Sequence, residues 1–213
     1  MGILINKNTK VVVQGITGRE GSVRTKYMKS YGTHVVGGTS PGKKGSDVHG
    51  VPVYNTVKEI AREHGEIDFS VIFVPGHVLK TAVMEAADAG VKNVIPCVEG
   101  TPIHDIMEMI AYCKAKGTRL LGPGSIGIIT PGEAVVGWLG GNGVGQYLLQ
   151  RGSIGVFSQR RPVGNILWVP AKALRRARSS IPARNRFSAP RWRICFRCSR
   201  KIPKPKAWRF MPK

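Results

Sequence analysis

Short apolar runs, each closed by a glycine or proline and followed by a stretch of mixed polarity, recur along the first 159 residues. Lys10-Val-Val-Val-Gln14 ends at Gly15, and an unbroken apolar run of that length predicts a strand buried on both faces. A helix is expected from Arg19 to about Tyr31, then a second strand over His34-Val-Val-Gly-Gly38. Val51-Pro-Val-Tyr54 reads as a short segment that Pro52 places at a sheet edge. Thr56 opens a helical stretch through His64, with Glu59 three residues on as a capping box. Phe69-Ser-Val-Ile-Phe-Val74 is the most strand-like run, and Pro75 stops it. Val78 to Ala89 predicts a helix with Ala82, Val83, Ala86 and Ala87 on one face. A strand over Val94–Val98 and a helix over Ile106–Lys116 follow, the helix ending at Gly117. Arg119–Leu121 and Ile126–Ile129 read as short strands around Gly122-Pro123-Gly124, and Ser153–Phe157 as one more.

Strands alternating with helices predict a mostly parallel sheet with right-handed crossovers and helices on both faces. That is the doubly wound, Rossmann-type α/β class. Ligands of such sheets sit outside the carboxyl ends of the strands. The loops after Gln14, Gly38, Val74, Val98 and Leu121 are therefore where function is expected.

Composition divides the chain at Gln159. Residues 1–159 carry 16 bases and 12 acids, whereas residues 160–213 carry 17 Lys and Arg and no Asp or Glu. Most of the formal charge of +21 thus sits in a tail that also holds 7 of the 14 prolines and 3 of the 4 tryptophans. One reading is a basic arm for nucleic acid or an anionic surface. The other is a reading-frame slip, and composition favours it. Arg, Pro, Ala, Ser and Trp are what GC-rich DNA yields out of frame. Arg160-Arg161-Pro162 can be coded CGG-CGG-CCx, and the same bases shifted by one read Ser-Gly-Gly, a natural sequel to Phe157-Ser158-Gln159. The tail prolines break any long element, and a short helix near Ala171–Arg178 is the one regular segment expected there. The division is then 1–159, one domain whose last strand at about 153–158 begins a further unit, and 160–213, an irregular tail.

A body of this size supports a real core. No apolar run reaches the roughly 18 residues of a membrane span, and Met1–Lys7 is too short and polar for a signal peptide. Gly2 invites myristoylation, but Asn6 stands where that motif needs Ser or Thr. Cys97 and Cys113 form no pairing pattern, which suits a reducing, cytoplasmic setting. Cys195-Phe-Arg-Cys198 is a lone C-x-x-C; no second pair or histidine follows to complete a zinc site, so chance spacing is the plainer reading.

The strand-end loops carry the candidate chemistry. Gly15-Ile-Thr-Gly18-Arg-Glu-Gly21 is a glycine turn opening a helix, so backbone N–H groups and the helix N-terminus face any bound phosphate. Its spacing is G-x-x-G-x-x-G, not the dinucleotide G-x-G-x-x-G, and a turn that only packs helix on strand is the alternative. The next loop, Thr39-Ser-Pro-Gly-Lys43-Lys44-Gly45, lacks the acid that an NAD ribose expects. Two lysines there favour a ligand with an extra phosphate near its ribose, such as coenzyme A or NADP; a solvated basic loop is the alternative. Pro75-Gly76 lets a flat ring such as adenine approach the backbone. His77 has no partner in sequence that would make it a ligand or base. Glu99, after Cys97-Val98, is a candidate ligand or loop-orienting group, and Gly122–Ser125 and Thr130–Glu133 read as tight turns.

These loops, in this order, resemble the α subunit of succinyl-CoA synthetase and the related NDP-forming acid–CoA ligases. Residues 3–10, Gln14-Gly-Ile-Thr-Gly18, Tyr31-Gly-Thr33, Val36-Gly-Gly38, Pro41-Gly-Lys43, Val51–Val57, Glu99-Gly100 and Ile129-Thr-Pro-Gly-Glu133 carry the likeness. It runs almost without gaps from residue 3 to about 159. The resemblance implies an N-terminal CoA-binding domain in which Thr17, Gly18, Arg19 and Glu20 hold CoA phosphates and Lys43 also contacts CoA. It places Cys97, Val98 and Glu99 along the adenine and pantetheine path, beside the ring-accepting Pro75.

Two departures are visible. Gly122-Pro-Gly-Ser-Ile-Gly127 stands where the family reads Gly-Pro-Asn-Cys-Pro-Gly, which alters the wall near the thiol end. Gly137-Trp-Leu-Gly-Gly141 is also unusual. The family's phosphoryl-relay histidine lies in a second domain, and His34, His49, His64, His77 and His104 match no such motif. The resemblance therefore implies the CoA-binding part of a ligase that works with a nucleotide-binding β subunit and a small carboxylic acid, with no catalytic residue in this stretch. The complete enzyme would form acyl-CoA through an acyl phosphate and a phosphohistidine. The competing reading is a stand-alone CoA- or NAD(P)-binding sensor. Resequencing the gene across codons 157–163 tests the slip: an inserted or deleted base is expected, and an unbroken frame shared by independent isolates would overturn it.

Overall fold

The computed structural model describes residues 4–139, together with the backbone of 154–157 and 176–181. Six parallel strands form the main sheet: β1 (Val11–Gln14), β2 (Val35–Thr39), β3 (Val53–Tyr54), β4 (Phe69–Ile72), β5 (Asn93–Pro96) and β6 (Arg119–Leu120). Their order is β3-β2-β1-β4-β5-β6. The chain starts in the middle, builds outward through β3, and returns to build the other half from β4. The order reverses between β1 and β4, the position where doubly wound sheets open a crevice.

The central strands β1, β4 and β5 show two hydrophobic faces in period-two alternation. Val11, Val13, Phe69, Val71 and Ile95 face one core; Val12, Ile72 and Val94 face the other. The first core packs under α1 (Arg19–Tyr31), and the second under α2 (Val57–His64), α3 (Leu79–Asp88) and α4 (Ile103–Ala115). Among the buried polar side chains, Gln14 Nε2 donates to Ser70 Oγ at 2.9 Å and to the Ala82 carbonyl at 3.0 Å. Both donors are satisfied, so the amide ties β1 to β4 and α3 rather than costing stability.

The start of α1 depends on two glycines. Gly15 has φ +75°, and a Cβ there would lie 2.8 Å from the Phe73 carbonyl oxygen. A Cβ on Gly21 would lie 2.1 Å from the Gly15 carbonyl oxygen. The helix thus rests directly on the turn that precedes it. In α2, Thr56 accepts the Glu59 N–H at 3.2 Å, half of the expected capping box. The other half is diverted: the Glu59 carboxylate takes Lys44 Nζ at 3.0 Å, and Glu85 Oε1 receives the Val57 N–H at 2.8 Å.

A hairpin of β7 (Gly127–Thr130) and β8 (Ala134–Gly137) closes the α1 side. Thr33 Oγ1 donates to the Val135 carbonyl and accepts the Val135 N–H, at 2.8 and 3.0 Å. Thr130 Oγ1 donates to the Ile5 carbonyl at 3.0 Å. This hairpin belongs to a second sheet, ordered β8-β7-β10-β9, with β9 (Ile154–Phe157) and β10 (Arg176–Ile181).

Four expectations need correction. Strand β8 was not foreseen, because four residues behind a proline–glycine turn carry no periodicity of their own. Helix α4 begins at Ile103, not Ile106: Pro102, at φ −56°, is already set for a helix start. A 3-10 turn, Gly76–Val78, precedes α3. The helix expected near Ala171–Arg178 is not formed by its C-terminal part, since Arg176–Ile181 is a strand pairing with β7 and β9. The unpaired backbone groups along β7 offer hydrogen bonds that outweigh local helix preference. Residues 171–175, Ser158-Gln159 and the Cys195–Cys198 pair lie outside the described residues.

In an ordinary helix, Gly→Ala stabilises by about 1 kcal/mol. Gly21→Ala should reverse that sign, destabilising by about 1–3 kcal/mol through overpacking on Gly15. A urea midpoint that drops checks it; a rise would contradict the packing.

Candidate functional site

Five loops meet beyond the carboxyl ends of the strands. The turn after β1 is held under the loop after β2, because Gly15 and Ile16 both donate their N–H groups to the Thr39 carbonyl, at 2.9 and 3.3 Å. Thr17 Oγ1 and Ser40 Oγ, 2.7 Å apart, link the same two loops through side chains. Gly18 is the N-cap of α1 with no side chain bonded to it, and its N–H closes the turn on the Gly15 carbonyl at 3.0 Å. Arg19, the first helical residue, is exposed. Glu20 is half-buried and its carboxylate lies 3.6 Å from Arg24 Nε.

The loop after β2 is braced by its own hydrogen bonds. Lys43 N–H donates to the Ser40 carbonyl at 3.1 Å, Ser46 Oγ donates to the Lys43 carbonyl at 2.7 Å, and Asn55 Oδ1 accepts the Gly42 N–H at 3.0 Å. The two lysines then differ. Lys44 is neutralised by Glu59, whereas Lys43 is exposed with no ion pair among the described residues. Lys43 therefore offers a cation to a ligand on the same rim as the start of α1.

On the other side of the switch point, Pro75 is exposed after β4 and caps the 3-10 turn. Glu99 is exposed after β5; its Cγ would lie 3.2 Å from a Cβ on Gly124, so it rests against the loop after β6. A Cβ on Gly76 would lie 3.7 Å from the Glu99 carbonyl oxygen, so the β4 and β5 loops also adjoin. Val98 is half-buried between these groups and the core.

The structure thus brings Thr17, Gly18, Arg19, Glu20 and Lys43 to one rim, and Pro75, Val98 and Glu99 to the other. Cys97 stands apart. It is 7% exposed and shares the α1-side core with Ile95, two residues earlier on the same pleat, to whose carbonyl its thiol points at 3.8 Å. Burial pushes the thiol well above the ordinary range, and the charge of Arg24 and the Trp138 backbone offset only part of that. Its side chain is not on the crevice surface.

Three groups were not singled out from the sequence. Ser40 is a hydroxyl in a loop already noted, and its pairing with Thr17 depends on the fold. Arg24 and Trp138 meet only because the hairpin docks on α1. The Arg24 guanidinium lies 4.1 Å from the Trp138 ring centroid, and Trp138 packs edge-on to Phe73 with centroids 6.1 Å apart.

The donor set fits a polyanion with a flat ring. An uncapped helix start, an unpaired lysine across from it and an exposed proline lie along one crevice, at spacing that admits no side chain on Gly15 or Gly21. Doubly wound sheets bind nucleotide-type coenzymes at such a switch point.

Residues 6–100 match the family model described as CoA binding domain. Over 161 residues the chain is 48% identical to the α subunit of the ADP-forming succinate–CoA ligase of Aquifex aeolicus, an alignment covering 75% of this chain and 51% of that one. Over 169 residues it is 40% identical to an ADP-forming sulfoacetate-CoA ligase subunit from an Acholeplasma species, covering 78% and 55%. The ATP citrate lyase of Methanothrix soehngenii, solved with citrate and coenzyme A, superposes with a TM-score of 0.70 at 18% identity, covering 84% of this chain and 32% of that one. That last likeness concerns the fold alone. The likeness to a CoA binding domain thus falls on residues 6–100, and the chain spans about half the length of the curated relatives it matches. Among the described residues no helix is long and apolar enough to cross a membrane.

Because Cys97 holds its proton more tightly when folded, its contribution to stability is present at neutral pH. That contribution is lost as pH rises past about 9, where the thiol of the unfolded chain ionises. Urea titrations at rising pH should show stability falling, with a shallower fall in Cys97→Ala. Equal slopes would show that the thiol is not shielded.

Proposed function

We propose that residues 1–159 are the coenzyme A-binding part of an NDP-forming acid–CoA ligase α subunit, with CoA lying across the β1/β4 switch point. The observation that carries this reading is the pairing of an uncapped glycine turn at Gly18 with the unpaired Lys43, locked together by the 2.7 Å contact between Thr17 and Ser40. The turn at Thr17 and Gly18 presents the free N–H groups of Arg19 and Glu20 to the pyrophosphate at the positive end of α1. Lys43 takes the phosphate on the ribose. Pro75 supports the adenine ring, and Val98 and Glu99 border the pantetheine arm, with Cys97 contributing from behind through its backbone. Bound CoA supplies the thiol that accepts the acyl group, and these residues orient it and exclude water from its path.

The acid is a small carboxylate, and ligase activity requires a nucleotide-binding β subunit. The names of the relatives, which are subunits of ADP-forming ligases, support both points. Phosphoryl transfer through acyl phosphate and phosphohistidine belongs to parts of the ligase outside residues 1–159. A cytoplasmic setting follows from substrates of this kind and from two unpaired cysteines buried within the domain.

Calorimetric titration of the full chain with CoA, 3′-dephospho-CoA, NADH and NADP tests the reading. CoA should bind with a Kd of about micromolar order. Lys43→Ala should weaken CoA about tenfold and leave 3′-dephospho-CoA nearly unchanged, because only the 3′-phosphate loses its charge-assisted partner. Tight NADH or NADP binding without competition by CoA would replace this reading with a dinucleotide sensor.

A further inference from the structure

We infer that the hairpin after β2, pinned at its tip to α1, holds Lys43 over the phosphate-binding turn, so that His49 and Ser22 are positioning residues for the ribose phosphate. The inference rests on the CoA-binding reading above, which assigns that phosphate to Lys43.

The starting observation is a backbone conformation. His49 is the one non-glycine residue at positive φ among the described residues, at +56°. Gly50 follows at +72°, and Val48 and Val51 exchange both backbone hydrogen bonds across the pair, at 3.0 and 3.1 Å. Two residues with φ above zero inside such a pair make the tight turn of a two-residue hairpin. Asparagine suits the first of those places better than histidine, so the turn alone does not account for the imidazole. Its contact does. His49 Nε2 lies 3.0 Å from Ser22 Oγ on α1. Lys29, two turns further along that helix, donates from Nζ to the His49 and Gly50 carbonyls at 2.7 and 3.0 Å. The tip is thus held by a ring and by both of its carbonyls.

The base of the hairpin carries the cation. Gly45 N–H donates to the Val53 carbonyl, and Val53 N–H to the Ser46 carbonyl, both at 3.0 Å. Ser46 Oγ and N–H both donate to the Lys43 carbonyl, at 2.7 and 3.2 Å. Lys43 is therefore fastened to the first residues of the hairpin. At the tip, Ser22 donates its own N–H to the Gly18 carbonyl at 2.9 Å, which puts the tether one turn from the uncapped helix start. Little else holds the arm on that side. From Pro41 to Pro52 the single buried residue is Val51, with Val48 half-buried beside it. The Lys44–Glu59 pair restrains the arm toward α2, and the tip contacts restrain it toward α1. An exposed arm with few apolar contacts opens locally at low free energy, so its direction depends on such tethers. Each tip contact is exposed and competes with water, so each contributes modestly. What they fix is the reach of Lys43 to the start of α1.

The test uses the full chain and calorimetric titration with CoA and 3′-dephospho-CoA. Ser22→Ala removes the contact without touching charge, and His49→Asn keeps a left-handed turn residue while withdrawing the ring. Each should weaken CoA about threefold and leave 3′-dephospho-CoA unchanged. The double variant should match either single one, and neither substitution should have an effect once Lys43→Ala is present. The melting temperature of His49→Asn should not fall, because the turn accepts asparagine. Equal weakening of both ligands, no weakening of either, or an undiminished His49 effect in the Lys43→Ala background would overturn the inference. Hydrogen exchange on the ligand-free chain tests the tether without CoA. The Gly45 and Ser46 amides should exchange severalfold faster in both variants while the β1 amides keep their rates. Unchanged rates at Gly45 and Ser46 would overturn the inference whatever the titrations show. If CoA fails to bind the parent chain while those amides still respond, the CoA reading fails and the tether stands.

Discussion

Where the two central strands leave the sheet, the Gly15 backbone sits against the Phe73 carbonyl, and Gly21 brings α1 down onto that same turn. This stacking of backbone on backbone permits no Cβ at either glycine. It sets the height of the helix above the sheet, and with it the direction in which the first N–H groups of α1 face. Because α1 is seated so low, its far end can receive the hairpin through Thr33 and Val135, and its second turn can carry Arg24 under Trp138. The turn at the start of α1 and the docking of the hairpin on its far end both depend on that one close approach.

The chemistry of the crevice is divided by the same geometry. On the β1–β2 side the groups are backbone amides, hydroxyls and one unpaired lysine, suited to phosphate. On the β4–β6 side they are an exposed proline and an exposed glutamate, suited to a flat base. Lys44 shows how this division is enforced. It is adjacent to Lys43 in sequence, yet Glu59 takes its charge, so Lys43 alone of the two is left without an ion pair among the described residues. A basic loop becomes a directed contact through that pairing.

Much of the fold was legible along the chain because its signals are local. The Val11–Val13 run, the glycine turn and the helix from Arg19 to Tyr31 are set by residues a few positions apart, and the helix bounds agree with those expected. The same holds for Thr56 as an N-cap, since Thr56 and Glu59 are neighbours on one turn. The strand-end rule also placed Thr17, Gly18, Lys43, Pro75 and Glu99 in loops that adjoin. What escaped depends on contacts distant in sequence. Strand β8 is four residues with no pattern of their own, defined by pairing with β7 and docking on Thr33. Arg24 carries no signal of its own in the sequence and meets Trp138 only because the hairpin docks on α1. The resemblance set Cys97 along the ligand path, and its side chain is turned inward on the same pleat as Ile95, a burial the sequence alone did not show.

The central claim is that one ligand spans both rims of the switch-point crevice. Amide chemical-shift mapping of the isotopically labelled chain during a CoA titration tests it most directly. The account predicts that Gly18, Arg19, Glu20, Lys43, Gly76, Val98 and Glu99 shift together with one saturation curve, while amides on α2 and the outer face of α4 stay fixed. Shifts confined to one rim, or centred on the opposite edge of the sheet, would contradict it.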